Sequence, residues 1–391
     1  VREPWFRAIH VATQREHVLA LSRALASADR AWFAIDPTKI RVSTSRVRLA
    51  VYADVVCAMV RSLRRASVML SLRSGRLRRS LRVLPLTILA AAITASAIHG
   101  AHAEESAADK AEAAERCSIR ISVALVGKSP DATLFSSADP QAAVDAMLKT
   151  PEFADRYARF INSRFNGGPA TAATDDPVYY LAKYVVANEK PWSDLFIGGY
   201  DVVANTTAMD VNASATGLGY FMSDSWKKRY AGNEPAGMML SASFRILSNT
   251  TGLTLTPSVG QPGDDRTATG RSVDPCKSCH FDQWFALDKF ARLLPTKKTA
   301  TDGTITFAPP TAGPQALLGK SIANESELVQ TLVASDAWKF AQCRNVFQFL
   351  YGRNENQCEA PVFDACVTAL ESQKTIQSAV AAVAKDPSFC K

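Results

Sequence analysis

The five residues Cys276-Lys277-Ser278-Cys279-His280 constrain this chain more than any other stretch of it. Two thiols separated by two residues share one turn of backbone, and the imidazole that follows reaches into the same space. That spacing lets the thiols add to the two vinyl groups of a haem while the histidine approaches the iron from below. The chain is therefore expected to fold around haem c, one per chain and covalently attached, with Cys276 and Cys279 as anchors and His280 as the proximal iron ligand. Two other uses of the pattern fit less well. A zinc site would need two further ligands of Cys or His type, and a thioredoxin-type disulfide follows a strand and opens a helix in an α/β setting that the patterning here does not offer.

Attachment of this kind needs an unfolded chain outside the cytoplasm, and the region before residue 104 carries the means of export. Arg73, Arg76, Arg78, Arg79 and Arg82 precede an apolar run over 83–98, and Ala101-His102-Ala103 follows. Basic, apolar and small-residue regions in that order predict a signal peptide over 69–103, cleaved after Ala103. The run is short for a spanning helix, so no stable membrane span is expected after cleavage, and a retained anchor is the alternative. Arg78-Arg79 also resembles a twin-arginine signal, but that route carries folded cargo, so general secretion to a bacterial periplasm or medium is expected. Signal peptides stand at the N-terminus, and residues 1–68 are Arg-rich and unpatterned. Translation starting near Met69 is therefore the expectation, with 1–68 a non-native upstream extension; a cytoplasmic extension is the alternative.

The same division disposes of a nucleic-acid reading of the net charge of +8. Of 45 Lys and Arg, 17 lie before Glu104, against 5 of the 37 acids, leaving 28 basic and 32 acidic residues in the body. A slightly acidic domain has no basic footprint for a polyanion. Hydrolytic chemistry is equally poorly served, since there is no Gly-x-Ser-x-Gly elbow and no histidine to spare as a base.

Cleavage after Ala103 would remove His10, His17, His99 and His102, and His280 would be the only histidine left. Bis-histidine ligation within one mature chain is then excluded. A downstream methionine is excluded too, because none follows Met239. The distal side is left with an upstream methionine, another weak donor or an open position. Met238 and Met239 head the segment leading into the haem loop and are the favoured candidates, ahead of Met209 and Met222. A Met ligand suits electron transfer with a partner protein of unknown identity, whereas an open position suits a haem enzyme or small-ligand sensor handling peroxide or oxygen. Cys117, Cys343, Cys358, Cys366 and Cys390 also survive cleavage. In an oxidising compartment they are expected to form disulfides, with one or two staples across the C-terminal helices and a connectivity that spacing does not determine.

Patterning predicts a mainly α fold: a helical N-terminal domain over 104–255 and a cytochrome c-like helical haem domain over 256–391, with long irregular loops. Thr150-Pro151 opens a helix with Phe153, Tyr157, Ile161 and Phe165 on one stripe, ending at Gly167-Gly168. Val144, Met147, Phe153, Arg159, Ile161, Phe165 and Gly167 recur 185 residues later as Val329, Leu332, Trp338, Arg344, Val346, Leu350 and Gly352, which predicts a repeated helix pair. Residues 179–187 read as a helix, 188–205 as a turn-rich connection, 248–275 as loop, and 299–319 as a polar stretch able to hold a short hairpin.

Taken in order, several phrases resemble the haem-containing domains first described in planctomycete cytochromes and common in other exported bacterial proteins. They are Arg120-Ile121-Ser122-Val123-Ala124-Leu125-Val126-Gly127, the helix start over 146–159, Asn188-Glu189-Lys190-Pro191-Trp192, Ala236-Gly237-Met238-Met239, Phe285-Ala286-Leu287-Asp288-Lys289-Phe290 after the haem motif, and Tyr351-Gly352-Arg353. The sequence departs from that family just after His280, where Phe281-Asp282-Gln283-Trp284 replaces an Ile-Asp-Pro-x-Gly phrase. The resemblance implies an exported, mostly helical mono-haem protein and no settled reaction.

Overall fold

The computed structural model describes residues 106–166, 172–234, 236–256, 263–310 and 312–391, which belong to one compact unit. The expected extension, signal peptide and cleavage site, with the four histidines and Cys57 among them, lie outside the described residues, as does the Gly167-Gly168 helix stop.

The fold is mainly helical, as the patterning predicts. Helix α1 (Ala107–Val126) starts at a capping box, in which the Ser106 hydroxyl accepts from the Asp109 N–H at 3.1 Å and Asp109 accepts from the Ser106 N–H at 3.2 Å. Helix α2 (Pro151–Asn166) has proline as its first residue and a Phe153 N–H bonded to the Thr150 hydroxyl at 3.3 Å. Its Phe153, Tyr157 and Ile161 are fully buried, as the four-residue spacing requires. Helix α3 (Pro177–Ala187) packs on α2.

The connection after α3 is more ordered than its turn-rich composition suggests. It contains a helical turn at Asp194–Ile197 and the strand β1 (Tyr200–Ala204), which pairs antiparallel with β2 (Met209–Ala213). The Asn205 side chain makes the reversal, accepting from the Thr207 and Ala208 N–H groups at 3.0 and 2.7 Å. Helices α4 (Asp224–Tyr230) and α5 (Leu240–Thr251) follow, then the Cys276–His280 segment and the short α6 (Leu287–Ala291). The polar stretch beyond it forms two hairpins, β3 (Thr296–Thr299) with β4 (Ile305–Ala308), and β5 (Gln315–Leu317) with β6 (Lys320–Ile322).

The repeated helix pair is present. Helix α7 (Glu325–Val333) and helix α8 (Asp336–Tyr351) reproduce the single turn Val144–Met147 followed by α2, and α2 and α8 are each 16 residues long. Corresponding positions are buried in both copies, including Val144 with Val329 and Ile161 with Val346. Gly352 ends α8 in the left-handed region at φ 69°. Helices α9 (Ala360–Gln373) and α10 (Ile376–Ala384) complete the chain. One apolar cluster runs from Cys117 to Phe389 and draws on residues before and after 255, where the division into two domains was expected.

Two disulfides form. Cys343–Cys366 joins α8 to α9 and is the expected C-terminal staple. The second, Cys117–Cys390, instead ties α1 to the last turn of the chain across 273 residues. Exposed Cys358 belongs to neither bridge. Among the described residues, no helix is long and apolar enough to cross a membrane.

Candidate functional site

The Cys276–His280 segment forms a single irregular helical turn. Lys277 N–H donates to the Val273 carbonyl at 3.0 Å, and the turn widens at its end, where Gln283 N–H reaches five residues back to Ser278 at 3.1 Å. Cys276, Cys279 and His280 all lie half-buried on this turn, and the two thiols are not joined to each other. Val273 and Trp284 flank it, 59% and 48% exposed, more than any other large apolar side chain among the described residues.

What holds the turn is a buried ionic network drawn from three separate segments. Asp288, in the first turn of α6, is fully buried, and its Oδ2 lies 2.6 Å from His280 Nδ1. Its other contacts come from Arg271, through Nε at 3.1 Å and Nη2 at 2.8 Å. Arg271 is itself buried, and Nη1 donates to Glu234 Oε2 at 2.6 Å and to the Arg266 carbonyl. Burial alone would push the Asp288 carboxyl up, but the hydrogen bonds from His280 and Arg271 outweigh it and hold the group below the usual aspartate value. An ionised carboxylate only accepts, so the proton of this hydrogen bond sits on His280 Nδ1. In the neutral ring, Nε2 is then the nitrogen with a free lone pair, able to ligate a metal.

The two methionine candidates go to different places. Met239 is 1% exposed and sits in the core at the start of α5. Met238 places its sulfur 3.7 Å from Arg271 Nη2, within the network that reaches His280 through Nδ1. Gly237 is what brings this segment close. Its φ is 73°, its carbonyl accepts from the Lys297 N–H of β3 at 2.9 Å, and a side chain there would collide with the Lys297 carbonyl. Met209 is buried in β2 and Met222 is packed against the core.

Asp288, Arg271 and Glu234 were not singled out by sequence reasoning. The one signal was a lone carboxylate inside the phrase Phe285–Phe290, between Ala286 and Phe290, which are both buried. Among the described residues no group of three or more His, Cys, Asp and Glu side chains is placed to hold a metal ion. A haem iron has no such need, because the porphyrin supplies four of its bonds and the chain must add only axial ligands. A cavity of about 1020 Å³ lies elsewhere, against β1, β2 and α4. Comparison with protein-family models, curated proteins and solved structures found no match to this chain.

Proposed function

We propose that this chain is an exported mono-haem c-type cytochrome that transfers electrons to or from a partner protein. One observation carries the reading: two unbridged thiols and a histidine share one half-buried turn, with the histidine's Nδ1 bonded to a buried carboxylate and its Nε2 left for iron. The flanking side chains agree with it, since Val273 and Trp284 offer apolar surface that a porphyrin face would cover. The two disulfides suit an oxidising compartment, where this attachment is made.

Cys276 and Cys279 would hold the group through thioethers, and His280 would be its proximal ligand. Haem bound there supplies one-electron chemistry at iron. The chain's own part is to orient the imidazole, to keep its proton on Nδ1 and to leave the attachment turn near the surface, within reach of a partner. The test is the mass of the exported protein and its covalent haem stain after denaturation. Cys276→Ala with Cys279→Ala should remove the added mass of haem and the stain; a stain that survives would refute the reading.

The placement of the methionines favours a second reading, a haem enzyme or small-ligand sensor with an open distal position. Met239 is enclosed in the core and Met238 is engaged with Arg271. Rapid carbon monoxide binding to a high-spin ferrous form would support it over electron transfer.

A further inference from the structure

We infer that Asp288 is the positioning residue of the haem histidine: it fixes the His280 tautomer and places a net negative charge behind the imidazole, holding the iron toward its ferric state. The inference rests on the haem reading just given, but not on which of its two functions is correct.

A carboxylate with no exposure persists only if its acceptor sites are filled. Asp288 has three donors, His280 Nδ1, Arg271 Nε and Arg271 Nη2, and all approach within 3.1 Å. The histidine cannot turn its unprotonated nitrogen toward this group without setting two acceptors against each other. Because it is Nδ1 that faces Asp288, at 2.6 Å, the nitrogen presented away from the carboxylate is Nε2, and the folded turn offers it to a metal. Ala286 and Phe290, both buried, fix α6 and with it the position of the carboxylate.

The charge of the network follows from its composition. Arg271 contributes one positive charge and lies between Asp288 and Glu234, which contribute two negative ones. The cluster is thus anionic overall, with its nearest charge 2.6 Å from the ring. A carboxylate partner raises the basicity of a ligating imidazole, and hydrogen bonding of this kind is one of the protein's levers on haem potential. The half-buried turn on one side and the enclosed carboxylate on the other keep water from screening that effect fully. Arg271 prevents Asp288 from turning away, and Glu234 keeps Arg271 from cancelling the charge.

The experiment compares wild-type holoprotein with Asp288→Asn and Asp288→Glu by potentiometric titration of the haem. Asp288→Asn should favour the ferrous form by tenfold or more, about 59 mV for a one-electron couple, and Asp288→Glu should return most of that shift. An Asp288→Asn potential equal to wild type would overturn the inference. A second measurement does not depend on the variants folding: nitrogen-15 spectra of histidine-labelled wild-type protein in its reduced state. The His280 ring should carry its proton on Nδ1, and a proton on Nε2 would overturn the inference. Wild-type protein without covalent haem would instead refute the reading under Proposed function, and the same spectra would still decide the tautomer.

Discussion

Replacing Cys117 and Cys390 together by alanine should cost this protein more than replacing Cys343 and Cys366. The bridge closes a sequence separation of 273 residues, against 23 for Cys343–Cys366. On the chain-entropy relation, closing the longer loop lowers the entropy of the unfolded chain by about 5.6 kcal/mol at 25 °C and the shorter by about 3.4 kcal/mol. Other contacts at the same closure survive the double substitution. The Arg120 guanidinium stays over the Phe389 ring at 4.7 Å, its Nη1 still reaches the Lys391 carbonyl at 3.3 Å, and Phe389 remains buried. The loss therefore acts through the unfolded state, and a measured cost of about 4–5 kcal/mol is expected once residual structure in that state is counted. Urea unfolding followed by far-ultraviolet circular dichroism measures it. Because the uncrosslinked chain expands further, the denaturant dependence should steepen as the midpoint falls. A loss below about 2 kcal/mol, or a fall in midpoint with an unchanged slope, would refute the unfolded-state account.

Two further perturbations test the charged groups. Arg271→Met removes the main partner of a fully buried carboxylate and should cost about 3–5 kcal/mol in chemical denaturation; near-wild-type stability would mean that Arg271 does not hold Asp288. Asp155 is held at about 2: burial pushes it up, but hydrogen bonds from Arg159, Tyr179 and Lys183 prevail. Its folded-state value is depressed, so its contribution is complete above the unfolded value near 3.9 and disappears as pH falls toward 2. Discounted for its 30% side-chain exposure, that contribution is about 1 kcal/mol. Asp155→Asn should therefore be less stable than wild type by that amount at pH 7 and equal to it near pH 2, and a gap that persists at pH 2 would contradict the assignment.

The helices were legible in the sequence because their cause is local. The stripe Phe153, Tyr157, Ile161 and Phe165 repeats at the helical period, Thr150-Pro151 marks its start, and the recurrence at Trp338, Val346 and Leu350 shows the same burial. The β1–β2 hairpin was not, because its reversal depends on the Asn205 side chain folding onto Thr207 and Ala208 within a stretch whose composition reads simply as loop. Cysteine pairing was not legible either. Nothing near Cys117 in the chain indicates that Cys390 will lie beside it, since that proximity follows from α1 and the C-terminal helices sharing one core.

The candidate site divides along the same line between local and long-range causes. Spacing alone puts Cys276, Cys279 and His280 on one turn, because all three lie within five residues. Orientation of the ring is a different matter, for it depends on Asp288 eight residues ahead, Arg271 nine behind and Glu234 beyond α5. The methionines show why chain position cannot substitute for direction. Met238 and Met239 are neighbours, yet the turn at Gly237 sends one sulfur toward Arg271 and the other side chain into the core. A distal methionine would have to come from the face reached by Nε2, and Met238 enters the network from the Nδ1 side. On the haem reading proposed above, the chain would therefore act on the iron through His280, by way of a carboxylate whose burial makes its charge effective.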